Sequence, residues 1–124
     1  MKKYLEITDI SAYNIAFELS NYVWGIVIKW DYFSKDTVGK QFVKAVDSIS
    51  VNIAEGFGRY FKKDKINFYR YSYGSIEESR DWVDKANKRK LLQEKEYSLI
   101  SEQLKKLPRE VNNLINFTDS KLSI

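Results

Sequence analysis

Apolar residues recur along most of the chain at intervals of three and four positions, a spacing that places side chains on one face of an α-helix. In the first predicted helix, two apolar rows run side by side. One row consists of Ile10, Tyr13, Phe17, Trp24 and Val27, and the other of Ala12, Ala16, Leu19, Val23, Ile26 and Trp30. We expect this helix to begin near Asp9 or Ser11, either of which can cap it, and to end near Trp30.

The second predicted helix begins after Ser34 or Asp36 and ends near Gly56 or Gly58. Glycine tolerates the left-handed conformation that commonly closes a helix, so we expect the helix to end on one of these two residues. Its apolar row consists of Phe42, Val46, Ile49 and Ile53.

Two further helices are predicted, over about residues 64–89 and about residues 93–117. The last has a heptad row made of Tyr97, Ile100, Leu104, Leu107, Val111 and Leu114. Pro108 cannot donate to the carbonyl of Leu104, so we expect a bend there. Short connections make successive helices antiparallel, which predicts one all-α domain, residues 1–124, folded as an up-down antiparallel four-helix bundle.

A polar row accompanies the apolar row of the second helix. It consists of Ser48, Asn52, Glu55 and Arg59. If the third helix packs alongside, Ser75 and Glu78 can join this row in a hydrogen-bonded layer that sets the helix register. A catalytic pair formed by Glu55 and Glu78 would require a strongly raised pKa, for which the sequence gives no sign. We therefore predict a structural polar layer of Ser48, Asn52, Glu55, Ser75 and Glu78, and no enzyme.

The chain contains no cysteine and no histidine, which excludes disulfides, thiolate and imidazole chemistry and the usual zinc sites. The Gly56-Phe57-Gly58 sequence follows a helix and lacks the other residues of a phosphate loop. We expect no catalytic residue, cofactor or metal. No apolar run is long enough for a signal peptide or a membrane span, so we predict a cytoplasmic protein.

Positive charge is concentrated in two segments, although the net charge is only +4. Residues 59–70 and 85–90 together carry +8, which leaves −4 elsewhere. Their candidate nucleic-acid-binding residues are Arg59, Lys62, Lys63, Lys65, Arg70, Lys85, Lys88, Arg89 and Lys90. Such cations can neutralise phosphates, and exposed tyrosines beside them can stack on unpaired bases. The alternative interpretation is two solvated helix ends about 30 Å apart, with the aromatic residues in the core.

The segment Asn52-Ile53-Ala54-Glu55-Gly56-Phe57-Gly58-Arg59, followed by Gly74-Ser75-Ile76-Glu77-Glu78, resembles the bacterial four-helix-bundle proteins named after intervening sequences in 23S rRNA genes. Gly39-Lys40-Gln41-Phe42 and Ala45 extend the resemblance, which covers nearly the whole chain. It implies a left-handed bundle, a ring-forming homopentamer and a role in nucleic-acid binding. Related accessory variability proteins of diversity-generating retroelements share the bundle and the pentamer, and work with a reverse transcriptase and its RNA.

Two positions depart from the family pattern. Phe61 stands where relatives have Ser or Thr, so we assign the cap of the third helix to Asp64. Ser72 stands where relatives tend to have Ala, and we attach no function to it.

The first helix has two apolar rows, more than a monomeric bundle needs. These rows and the tryptophans at positions 24, 30 and 82 favour a subunit interface. The sequence and the resemblance together predict a non-enzymatic, oligomeric accessory protein that binds RNA or DNA, mainly by phosphate contacts. The alternative is a protein-interaction scaffold, whose partner could be the reverse transcriptase of a diversity-generating retroelement.

Overall fold

The apolar rows become four long helices in a computed structural model that describes residues 5–122. These helices are α1, Ser11–Val27; α2, Lys40–Phe57; α3, Lys62–Lys88; and α4, Glu94–Lys121. Three short elements complete the fold: a 3-10 turn at Ile7–Asp9, one α-helical turn at Tyr32–Ser34 and a π-helical segment at Lys35–Gly39 that leads directly into α2. Within residues 5–122 there is no strand, so the all-α prediction is confirmed.

Each long helix packs against two neighbours. The α1 helix contacts α2 and α4, and α3 contacts α2 and α4, with the most extensive packing between α2 and α3. Short turns join the helices, so successive helices run in opposite directions. The chain is therefore a four-helix bundle, as predicted.

The two apolar rows of α1 have different environments. Ala12, Ala16, Leu19 and Val23 are buried in the core, whereas Phe17 and Trp24 are 46% and 56% exposed. Trp30 and Trp82 are half-buried and pack against the core. Of the three tryptophans that favoured an interface, Trp24 is therefore the one with a largely exposed ring.

The beginnings of α1 and α2 differ from the predicted caps. Ile10 occupies the cap position of α1 and provides no side-chain hydrogen bond. Asp9 instead accepts a hydrogen bond from the backbone N–H of Glu6, at 2.8 Å. The helical path into α2 begins at Tyr32, where the Asp31 carboxylate accepts from the N–H of Ser34 at 3.2 Å. The hydrogen bonds from Ser34 lower the pKa of Asp31.

The end of α2 corrects the prediction about glycine. Gly58 has φ −77°, and no glycine in the described range has a positive φ. Gly56 is required for a different reason, because a Cβ atom at this position would lie 2.7 Å from Cε1 of Tyr69 and 2.9 Å from the carbonyl oxygen of Lys65. The glycine allows α3 to approach the last turn of α2 closely.

The other helix boundaries follow the predictions within about one turn. The α3 helix begins at Lys62, and Phe61 in the cap position makes no side-chain cap bond. Asp64 therefore does not cap the helix. It lies in the first turn, where its negative charge interacts favourably with the positive end of the helix dipole. At the start of α4, the Gln93 N–H donates to Glu96 Oε1 at 2.8 Å, and the helix continues through Pro108.

Replacing Gly56 by alanine should lower the free energy of unfolding by about 1–3 kcal/mol, because the methyl group would force Tyr69 and the α3 backbone away. Gly58→Ala is the matched control, since its nearest heavy atom would lie 3.6 Å away. The control should change stability by less than about 1 kcal/mol. Urea unfolding of both variants measures the difference, and equal effects would contradict the packing role of Gly56.

Candidate nucleic-acid interface

The nine candidate cations lie at the two ends of the bundle. The α2–α3 end contains the turn of residues 58–61, and the α3–α4 end contains the turn of residues 89–93 together with the start of the Tyr32–Ser34 turn. The 27 residues of α3 separate the two ends by about 40 Å, somewhat more than expected.

At the α2–α3 end, two of the cations are held by neighbouring side chains. Arg59 pairs with Glu55 at 3.5 Å, and its guanidinium lies 4.6 Å from the centre of the Phe68 ring. Lys62 contacts both the carbonyl (3.2 Å) and the carboxylate (3.6 Å) of Asp119. Lys62 therefore joins the start of α3 to the last turns of α4.

Lys65 has a structural role as well. Its half-buried Nζ donates to the carbonyl of Phe57 at 2.7 Å, at the negative end of the α2 dipole. Burial lowers the pKa of Lys65. Lys63 and Arg70 are the two candidates at this end that are exposed and have no acidic partner within residues 5–122.

At the α3–α4 end, one cation is paired and three are not. Lys85 forms an ion pair with Asp81 at 2.6 Å, and its ammonium lies 4.7 Å from the centre of the Trp82 ring. Lys88, Arg89 and Lys90 are exposed, and none has an acidic partner in the described part of the chain. At this end, Lys88, Arg89 and Lys90 are therefore three consecutive basic residues whose charges no carboxylate of the described chain neutralises.

Lys90 also closes helix α3. The N–H of Leu91 donates to the carbonyl of Ala86 at 2.9 Å, and the N–H of Lys90 donates to that of Asn87 at 3.0 Å. These two bonds form a Schellman motif, whose left-handed position is usually occupied by glycine. Lys90 occupies that position with φ 62°, the one positive φ among non-glycine residues in the described range.

Exposed aromatic rings accompany the cations at both ends. At the α2–α3 end, Tyr60 is 72% exposed and packs edge-on against Phe61, with ring centres 5.1 Å apart, and Tyr71 is 59% exposed. At the α3–α4 end, Tyr32 and Phe33 are 78% and 73% exposed.

Sequence analysis missed Tyr32 and Phe33. The available signal was that two adjacent aromatic residues lie between the first and second predicted helices.

Not every tyrosine near the basic segments is available for stacking. Tyr69 is 2% exposed and is part of the core, where burial raises its pKa to about 12. At Tyr69 the alternative interpretation, that the aromatic residues belong to the core, is therefore correct. At Tyr60 and Tyr71 it is not, because their rings are exposed.

The predicted polar layer does not connect α2 to α3 by hydrogen bonds. Ser48, Asn52 and Ser75 donate to the backbone of their own helices, at 2.7, 2.8 and 3.2 Å. Polar side chains in helices readily make such bonds to the carbonyl four residues earlier. Glu55 and Glu78 are exposed, and the ion pair of Glu55 is with Arg59.

Besides the bond from Lys65 to Phe57, a hydrogen bond between α3 and α2 comes from Ser72, to which the sequence assigned no function. Its fully buried hydroxyl donates to the carbonyl of Ile49 at 2.9 Å. This contact fixes the register of the two helices in the way predicted for the layer.

Among the described residues, no group of three or more His, Cys, Asp or Glu side chains is arranged to hold a metal ion. No helix in residues 5–122 is both long and apolar enough to cross a membrane.

Comparison with known protein families gives a match over residues 8–113 to the model described as 23S rRNA-intervening sequence protein. The chain belongs to this family. The chain is also similar to a protein from Bacteroides thetaiotaomicron whose crystal structure is described as a protein with unknown function from the S23 ribosomal protein family. The two share 16% identity with a TM-score of 0.74, over 84% of this chain and 97% of that one, which supports the fold. No curated protein matches the chain.

Replacing Lys90 by glycine should raise the free energy of unfolding by about 0.5–1 kcal/mol, because glycine adopts positive φ without a steric penalty. Lys88→Gly is the matched control. It removes the same charge two residues earlier, at the last residue of α3, and should lower the free energy of unfolding by about 0.5–1 kcal/mol. Thermal or urea unfolding measures both. A loss of stability in Lys90→Gly would contradict the strain assigned to this residue.

Proposed function

We propose that this protein is a non-enzymatic, oligomeric accessory protein that binds RNA or DNA through the ends of its bundle, mainly by phosphate contacts. The observation that carries the proposal is that five of the nine candidate cations at the bundle ends are exposed and have no acidic partner in the described structure. These five are Lys63, Arg70, Lys88, Arg89 and Lys90.

A surface cation without a carboxylate partner can bind a phosphate without first breaking an ion pair within the protein. Each such contact releases counterions from the nucleic acid, so affinity falls as salt rises. Because Lys88, Arg89 and Lys90 are adjacent and unpaired, the α3–α4 end is the stronger candidate. Three phosphate contacts to a single strand would give a slope of about −2 in a plot of log affinity against log salt.

Reversing the charge of Lys88 and Arg89 together, to glutamate, should weaken RNA binding at least about tenfold at low salt and make the salt slope shallower. The matched control is Lys105→Glu with Lys106→Glu, an equal charge change at two exposed positions in the middle of α4. Fluorescence anisotropy with labelled RNA and single-stranded DNA across a salt series measures both, and circular dichroism checks the fold.

Absence of binding at low salt, or binding that does not weaken as salt rises, would contradict the proposal. An equal loss in the control pair would show that total charge matters more than the α3–α4 end. The companion pair Lys63→Glu and Arg70→Glu tests the other end. It avoids Lys62 and Lys65, whose contacts with Asp119 and Phe57 support the fold.

The proposed oligomer would form through the outward row of α1. Phe17, Trp24 and Ile28 are 46–56% exposed, and Val51 of α2, 59% exposed, lies on the same α1–α2 groove as Trp24 and Ile28. Surface apolar residues gathered in this way favour a protein partner. A left-handed bundle assembled into a homopentameric ring, as the family resemblance implies, would cover them.

Charge and glycine placement support a contact between unlike faces of two copies. Lys35, Lys40 and Lys44 line the α1–α2 groove, where Lys40 also pairs with Asp36. Exposed Glu77, Glu78 and Asp81 lie together on α3, where Glu77 pairs with Arg80 and Asp81 with Lys85, so Glu78 is the unpaired carboxylate of the three in the described chain. On that acidic face, a Cβ atom at Gly74 would meet nothing within 4 Å. A glycine inside a helix costs about 1 kcal/mol, and packing within this chain does not require it. Contacts between unlike faces generate rings when the rotation closes.

Trp24→Glu should reduce the assembly to a species near the 14.7 kDa chain mass, because it buries a charge in the proposed interface. Tyr60→Glu, a change at a 72% exposed ring remote from the groove, is the control and should keep the wild-type mass. Size-exclusion chromatography with light scattering measures both. A monomeric wild-type chain would contradict the oligomer.

The second candidate function is a scaffold for a different protein, such as a reverse transcriptase, and it would use the same α1–α2 groove. It is favoured if the chain alone is monomeric and a pull-down from the native host returns one protein without nucleic acid. Trp24→Glu should then abolish that capture.

A further inference from the structure

We propose that a groove at the α3–α4 end binds one unpaired nucleotide, which would make this end a site for single-stranded rather than duplex nucleic acid. The inference rests on the proposed function and deepens it. The groove, called here the Phe33 groove, has a volume of about 630 Å³. Phe33, Asp36, Gln41 and Arg89 are among the residues that line it.

The Phe33 ring is exposed and held on a fixed backbone. It is 73% exposed and makes no ring contact with another aromatic residue in the described chain. The hydroxyl of Thr37 donates to the carbonyl of Phe33 at 2.7 Å, and Asp31 caps the same turn. A nucleobase stacked on this ring would cover apolar surface, and the ring's backbone is already ordered before binding.

Arg89 supplies positive charge at the same groove. It has no acidic partner within residues 5–122, and Lys88 and Lys90 are its neighbours in the chain. The carboxylate of Asp36 also lines the groove, but Lys40 pairs with it at 3.2 Å. Arg89 is therefore free to hold a phosphate with two parallel hydrogen bonds.

Gln41 adds a group that can both donate and accept hydrogen bonds. Its side chain is exposed and makes no hydrogen bond to any residue in the described range. An unpaired base offers its pairing edge to such an amide, whereas a base in a duplex has this edge occupied and its face stacked. The combination of an aromatic face, an amide and an arginine therefore fits an unpaired nucleotide better than a duplex backbone.

The opposite end lacks this combination. Arg59 lies over Phe68, and Tyr60 and Phe61 pack against each other. The exposed rings at that end, Tyr60, Phe61 and Tyr71, line neither this groove nor the groove beside Lys65. Phe33, in contrast, shares its groove with the unpaired Arg89.

The experiment compares a labelled oligouridine of about a dozen nucleotides with a duplex of the same length, by fluorescence anisotropy at low salt. The single strand should bind at least about tenfold more tightly than the duplex. Phe33→Ala should weaken single-strand binding by about five- to a hundredfold and leave the salt slope unchanged, because stacking releases no counterions. Phe33→Trp should retain binding. Arg89→Ala should make the slope of log affinity against log salt shallower by the amount expected for the loss of about one phosphate contact.

Leu99→Ala is the control, since Leu99 is an apolar side chain, 40% exposed, that lines a groove between α1 and α4 away from both basic segments. It should change affinity by less than about twofold. If the chain binds nucleic acid but Phe33→Ala binds like the wild type, or the duplex binds as tightly as the single strand, the Phe33 groove is not the site and phosphate binding by the bundle ends stands. If neither nucleic acid binds at low salt, the groove and the proposed function are both overturned.

Discussion

The close approach of α2 and α3 is the contact on which the rest of the bundle depends. At one end, Gly56 leaves space for Tyr69, and further along Ser72 donates to the carbonyl of Ile49. The first contact fixes how near the helices lie, and the second fixes how one helix is aligned along the other. Most residues of the two basic segments, 59–70 and 85–90, lie on α3. The alignment of α3 with α2 therefore determines where these basic side chains lie at each end of the bundle.

Helix-end chemistry then divides the basic residues into two groups. Lys62 and Lys65 satisfy carbonyl groups of neighbouring elements, and Lys85 is paired with an aspartate, so their charges serve the fold. Lys88 and Arg89 have no such partner in the described chain. The proposed nucleic-acid surface is therefore smaller than the basic segments suggested, and it is concentrated where helix α3 ends.

The outward row of α1 follows from the same geometry. A bundle with four long helices can bury one face of each, and Ala16, Leu19 and Val23 occupy that face in α1. Trp24 and Ile28 remain outside, although they have the same helical spacing. Their exposure motivates the proposed interface. On the opposite side of α1, buried Ala12 and Ala16 allow the neighbouring helices to pack closely, so the face with Phe17 and Trp24 is the one that lies outside.

The sequence by itself determined the four helices, most of their limits and the buried rows, because apolar spacing reports directly which face of a helix avoids water. It also identified the family through residues 52–59 and 74–78. Local spacing cannot reveal distances between helices. Only the tertiary structure decided that Gly56 serves packing, that Ser72 donates to Ile49 across the helix pair and that Lys65 donates to Phe57. The Phe33 groove likewise depends on residues far apart in the chain, which the fold brings together.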